Sequence, residues 1–133
     1  MKMFVALLSA ATIALAAQAG ASRPADPIEG RWVNGQMTIN IAPCGQALCG
    51  TIIRASAKQQ AKARRGSGTK LLGATLIRDI RPTRPGNYKA RVFVADRNFY
   101  ANGTVRMTNP NRLAVKGCVL GIVCKDADWD RAD

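Results

Sequence analysis

Four cysteines carry the most specific chemistry in this chain. Cys44 and Cys49 stand five residues apart, and Cys118 and Cys124 stand six apart. Two tight pairs suit two local disulfides, which belong to an oxidising compartment. A Cys₄ zinc site has compatible ligand types, but export (argued below) disfavours it. The spacing favours Cys44 with Cys49 and Cys118 with Cys124 over crossed pairing.

The remaining inventory argues against catalysis. The chain has no histidine, which removes the commonest general base and metal ligand. A serine–histidine triad is therefore impossible. Carboxylates number eight, and three of them, Asp126, Asp128 and Asp130, alternate toward the C-terminus. That string resembles the start of a calcium loop but lacks the loop's glycine and distant glutamate. On a strand it reads as one solvated face. Gly66-Ser67-Gly68 lacks the spacing of a phosphate-binding loop. The reading is a non-enzyme with no cofactor and no metal.

Charge points instead to binding. The formal net charge is +12, and no carboxylate stands between Glu29 and Asp79. Within that acid-free stretch lie Arg54, Lys58, Lys62, Arg64, Arg65 and Lys70, the candidate anion-binding residues. A segregated basic segment favours acidic partners, here anionic envelope polymer or lipid phosphate. Nucleic acid is disfavoured, because no base-stacking aromatics are interleaved with these charges. The alternatives are a carrier of a small apolar ligand in a barrel mouth, and a protein–protein inhibitor module.

The elements that would position these residues begin after a leader. Met1-Lys2, an apolar run from Met3 to Ala17, and Ala17-Gln18-Ala19 form the three parts of a secretory signal. Cleavage is expected after Ala19, giving a periplasmic or secreted protein. The apolar run is short for a membrane span, and no other stretch is long enough for one. Residues 20–28, with Pro24 and Pro27, read as a disordered lead-in. Residues 29–133 then form a single domain.

That domain shows period-two alternation broken by turns, the pattern of short antiparallel strands. Met37, Ile39 and Ile41 alternate with Thr38 and Asn40; Tyr88, Ala90, Val92 and Val94 alternate with Lys89 and Arg91. Asn34-Gly35 is a hairpin signal, and Asn102-Gly103 reads as a further turn. Residues 56–70 break the pattern. Their residues favour helix but show no apolar stripe, so the expectation is a mobile basic loop with a frayed helix. About eight strands must hide two sheet edges. An all-β, antiparallel up-and-down barrel does so by closure, with an open β-sandwich as the alternative. A barrel of this size is expected to be filled by side chains, leaving at most a shallow pocket at one mouth.

In such a barrel the first and last strands are neighbours. Gly30-Arg31-Trp32 would then meet Trp129-Asp130-Arg131. An arginine over an indole combines cation–π attraction with a flat cover. Trp32, Trp129 and Arg131 are therefore expected to plug one barrel end, with Arg131 capping Trp32.

These landmarks resemble a bacterial family, domain of unknown function 2147. The matching stretches are Gly30-Arg31-Trp32, Cys44-Gly45 with Leu48-Cys49-Gly50, and Leu71-Leu72-Gly73. They continue with Phe99-Tyr100, Leu113-Ala114-Val115-Lys116-Gly117-Cys118 and Trp129-Asp130-Arg131. The resemblance covers nearly the whole chain beyond the leader. It implies a small exported β-barrel, similar in outline to lipocalins, and implies no activity. The chain departs from the family pattern at Lys58–Gly68 and at Ala95-Asp96-Arg97-Asn98, so roles tied to those loops do not carry over.

Overall fold

The computed structural model describes residues 24–132; the leader lies outside them. Its elements are β1 (Gly30–Asn34), β2 (Met37–Cys44), β3 (Ala47–Arg54), α1 (Ala57–Ser67), β4 (Thr75–Arg84), β5 (Asn87–Val94), β6 (Phe99–Asn109), β7 (Arg112–Val119) and β8 (Val123–Ala132). The strands form one closed barrel in the order β1 to β8, each antiparallel to the next. Closure is made by β1 against β8, with Trp32 opposite Arg131. Alternation of side chains therefore becomes inside against outside, with no free edge to protect. Among the described residues, no helix is long and apolar enough to cross a membrane.

The two ends of the barrel differ. One end gathers the residues before β1 with the β2–β3, β4–β5 and β6–β7 turns. Here the core is dense: Ile28, Trp32, Val105 and Leu113 have no exposed surface. Ile77 and Ile80 are both buried although three apart. A register shift between Arg78 and Arg81, with Asp79 at φ 53°, makes this possible.

The lead-in expected to be disordered is ordered over its last part. Ile28 is fully buried, and its carbonyl accepts from the Trp32 indole N–H at 2.9 Å. The Tyr88 hydroxyl donates to Asp26 Oδ1 at 2.5 Å. A buried isoleucine and two hydrogen bonds outweigh the prolines.

Two further expectations are corrected. Asn102-Gly103 is not a turn but the middle of the eleven-residue β6. Both residues are paired on each side, Gly103 with Ala90 and with Gly117. A Cβ there would lie 2.5 Å from the Lys116 carbonyl oxygen, so the glycine serves close strand approach. The segment 56–70 holds the capped helix α1 (Ala57–Ser67) rather than a mobile loop. Ser56 and Gln59 form a reciprocal capping box, and Gly68 closes the helix in the left-handed region at φ 71°. Ala63 is its one buried residue, and it packs on the core.

Candidate functional site: an apolar cavity at the open end

The opposite end holds the β1–β2 turn, α1, the β5–β6 turn and the β7–β8 turn. It is not filled. A cavity of about 850 Å³ opens there between α1 and the strands β4 to β8. The expected shallow pocket is therefore wrong, and the reason lies in side-chain size. The inward positions toward this end include Ala95, Ala101, Gly117 and Ala127, which leave the space empty, whereas Leu76, Ile77, Val92 and Val115 line its wall. Met37 and Leu71 close it from the sides, and Trp129 lines it from β8.

Polar groups are sparse in this cavity. The charged lining residues, Lys62, Asp96, Arg97, Lys125 and Asp126, are all exposed and so belong to the rim. One polar atom lies deeper. Trp129 is 5% exposed, and its indole N–H is buried with no hydrogen-bond partner. That atom has essentially no accessible surface, so it is the carbon edge of the ring that meets the cavity.

α1 forms one side of the mouth, contributing Gln59, Lys62 and Ala63. It is seated on the β5–β6 turn. Gly66 lies so close to the Asp96 backbone that a Cβ would overlap it. Lys62 Nζ adds an exposed ion pair with Asp96 at 3.7 Å, worth little in water.

The candidate anion-binding residues lie at this end or beside it. Lys58, Lys62, Arg64 and Arg65 are exposed on α1, and Arg54 and Lys70 are exposed on its flanks. Arg64 and Arg65 also occupy the last helical turn, where positive charge favours the helix dipole. Other cations were not singled out by the sequence. Arg97 and Lys125 stand at the rim, and Arg78 lies 3.7 Å over the outward Tyr100 ring.

The plug residues share the closed half of the barrel, Arg131 opposite Trp32 and Trp129 opposite Leu113. The Arg131 guanidinium lies 4.2 Å over the Trp32 ring. Trp129 also lines the cavity from below. Asp126, Asp128 and Asp130 are exposed, and Asp130 accepts from Arg112 Nε at 3.2 Å.

Two disulfides are formed, Cys44–Cys49 and Cys118–Cys124. The first staples the β2–β3 hairpin at the closed end, and the second brackets the β7–β8 turn at the open end. Two disulfides indicate an oxidising compartment outside the cytoplasm.

Residues 30–131 match the family described as uncharacterized protein conserved in bacteria, DUF2147. The chain belongs to that family. No curated protein sequence matches this DUF2147 chain. Among solved structures it is similar to protein HP1028 from the human pathogen Helicobacter pylori, described as belonging to the lipocalin family. The identity is 12%, the TM-score 0.62, and the likeness covers 82% of this chain and 85% of that one. At that identity the likeness concerns the fold: a closed barrel with a helix beside one mouth is a lipocalin-like architecture.

Proposed function

We propose that this DUF2147 protein is a non-catalytic carrier that holds one small, elongated apolar molecule in the open half of its barrel. The carrying observation is the cavity. Its volume of about 850 Å³ lies in the range of small-molecule sites, and its wall is apolar. The rim cations Lys62, Arg97 and Lys125 would tolerate an anionic group at the mouth. The Met1–Ala19 leader and the two disulfides support a periplasmic or secreted setting.

A specific observation favours a second contact. Lys58, Arg64 and Arg65 project from α1 into solvent beside the mouth, with Arg54 and Lys70 nearby. This surface supports docking on anionic envelope polymer or lipid phosphate.

The cavity reading is tested with the apolar fluorophore N-phenyl-1-naphthylamine. One molecule should bind per chain, with enhanced emission. Gly117→Leu supplies the control. A Cβ at that position meets only ordinary contacts with Ala101 and Val92, so the side chain can enter the cavity without displacing backbone. The variant should melt like the parent and lose the probe. Unchanged probe binding by a folded Gly117→Leu protein would overturn the reading.

A further inference from the structure

The β7–β8 turn reads Val119-Leu120-Gly121-Ile122-Val123. Leu120 is 90% exposed, Ile122 83% and Val123 64%. The other large apolar residues with substantial exposure, among those described, are Ile53, Leu72 and Val119. All six belong to the open end. Gly73 N donates to the Ile52 carbonyl, which ties the Leu72 turn to the Ile53 strand end. The exposed apolar surface is therefore gathered around one mouth rather than scattered.

Folding does not explain this turn. Leu120 and Gly121 both have positive φ, 54° and 67°, and Ile122 N donates to the Val119 carbonyl at 3.2 Å. That is a tight hairpin turn which asparagine or aspartate would suit at its first position. A leucine there is strained and touches no core. The Cys118–Cys124 disulfide clamps the hairpin at its base, and the two cysteines face one another across the strands. The result is a stapled apolar tip.

We propose that the open end docks on an anionic lipid bilayer, with Leu120 and Ile122 as the inserting tip and the basic rim against the headgroups. Charge complementarity selects this occupant. Lys62, Arg97 and Lys125 share the cavity mouth with Leu120 and Ile122, and α1 adds Lys58, Arg64 and Arg65. The acidic groups at the mouth are Asp96, which pairs with Lys62, and Asp126. A second copy of the chain would bring these cations face to face. A soluble polyanion would meet the cations but leave the apolar tip in water. A bilayer with anionic headgroups satisfies both features at once. Docked this way, the cavity mouth faces the membrane. The proposal commits the anionic-contact reading to lipid and stands whether or not the cavity is occupied.

Flotation of the disulfide-bonded protein with phosphatidylcholine vesicles, with and without phosphatidylglycerol, tests it. Binding should require phosphatidylglycerol and weaken as salt is added. The double variant Leu120→Ser/Ile122→Ser should bind about tenfold more weakly or worse, and Arg64→Glu/Arg65→Glu likewise. Leu120→Trp should shift its emission to the blue on vesicles and be quenched by brominated acyl chains. Both double variants lie on exposed surface, and unchanged melting establishes their folding. Probe binding by the Arg64→Glu/Arg65→Glu variant, whose residues do not line the cavity, should match the parent, which separates this proposal from the carrier reading. Equal vesicle binding by the serine variant would overturn the proposal. So would a dimer that the serine variant splits while vesicles stay unbound.

Discussion

Arg131 ties the barrel's last strand to everything that precedes its first. Its guanidinium stacks 4.2 Å over Trp32. It also donates to the carbonyls of Pro27 at 2.8 Å, Glu29 at 3.2 Å and Pro110 at 2.9 Å. One side chain thus holds the lead-in, β1, β8 and the β6–β7 turn. The planar fork makes these contacts together, which a lysine ammonium cannot do. Arg131→Lys keeps the charge but loses most of the fork and the stack, at a cost of about 2 kcal/mol. Thermal melting should fall by roughly 5–10 °C, and Arg131→Ala should fall at least as far. A lysine variant that melts with the parent would mean the closed end is held by Trp32 burial alone.

Gly66 presents a conflict whose sign can be worked out. In an exposed helix interior, glycine to alanine stabilises by about 1 kcal/mol. Here the added Cβ would overlap the Asp96 backbone. Overpacking against backbone costs about 1–3 kcal/mol, so the clash wins and α1 must lift from the β5–β6 turn. Gly66→Ala should therefore destabilise and should speed phenylnaphthylamine release, since α1 forms one side of the mouth. Stopped-flow release and urea melts check both. A more stable variant with unchanged release would show that α1 is not seated through this contact.

The sequence carried the barrel because its evidence is local and repeated. Alternation at Met37–Ile41 and Tyr88–Val94, the turn residues, and the match of Trp32 to Arg131 all point to closure. The helix was also written locally, in Ser56, Gln59 and Gly68, but it lacks an apolar stripe. Ala63 and Gly66 suffice because the contact is small, and small contacts leave no periodic signal. The cavity is different in kind. Ala101, Gly117 and Ala127 sit on three strands, and nothing local says that they share one level of the interior. Only register brings them together. The apolar turn at Val119–Val123 is plain in the sequence, but only the closed topology places it at the cavity mouth.

Trp129 carries a buried indole N–H with no hydrogen-bond partner, and its ring lines the cavity. Trp129→Phe removes that unpaired donor and keeps an aromatic wall. Removing an unsatisfied buried donor offsets part of the cost of the smaller ring, so the variant should lose no more than about 2 kcal/mol in urea melts. It should still bind phenylnaphthylamine. A much larger loss of stability would show that the N–H is paired in solution.

Tyr88 should make stability fall at alkaline pH. It is 4% exposed, and its hydroxyl donates to Asp26 Oδ1. Burial pushes its pKa well above the ordinary tyrosine value, and the hydrogen bond to Asp26 and that residue's negative charge push the same way. In the unfolded chain the phenol ionises near pH 10, while the folded chain keeps the proton to higher pH. Above about pH 10 the unfolded state therefore binds fewer protons, and stability falls as pH rises. The contribution is complete below that point and is lost progressively toward the folded value. Tyr88→Phe should cost about 1 kcal/mol at neutral pH, from the lost hydrogen bond. It should also flatten the decline above about pH 10. Asp26 retains the backbone N–H of Ile28 at 3.1 Å, so its carboxylate is not stranded. Urea melts across the alkaline range measure both effects, and parallel slopes for parent and variant would place the alkaline loss elsewhere.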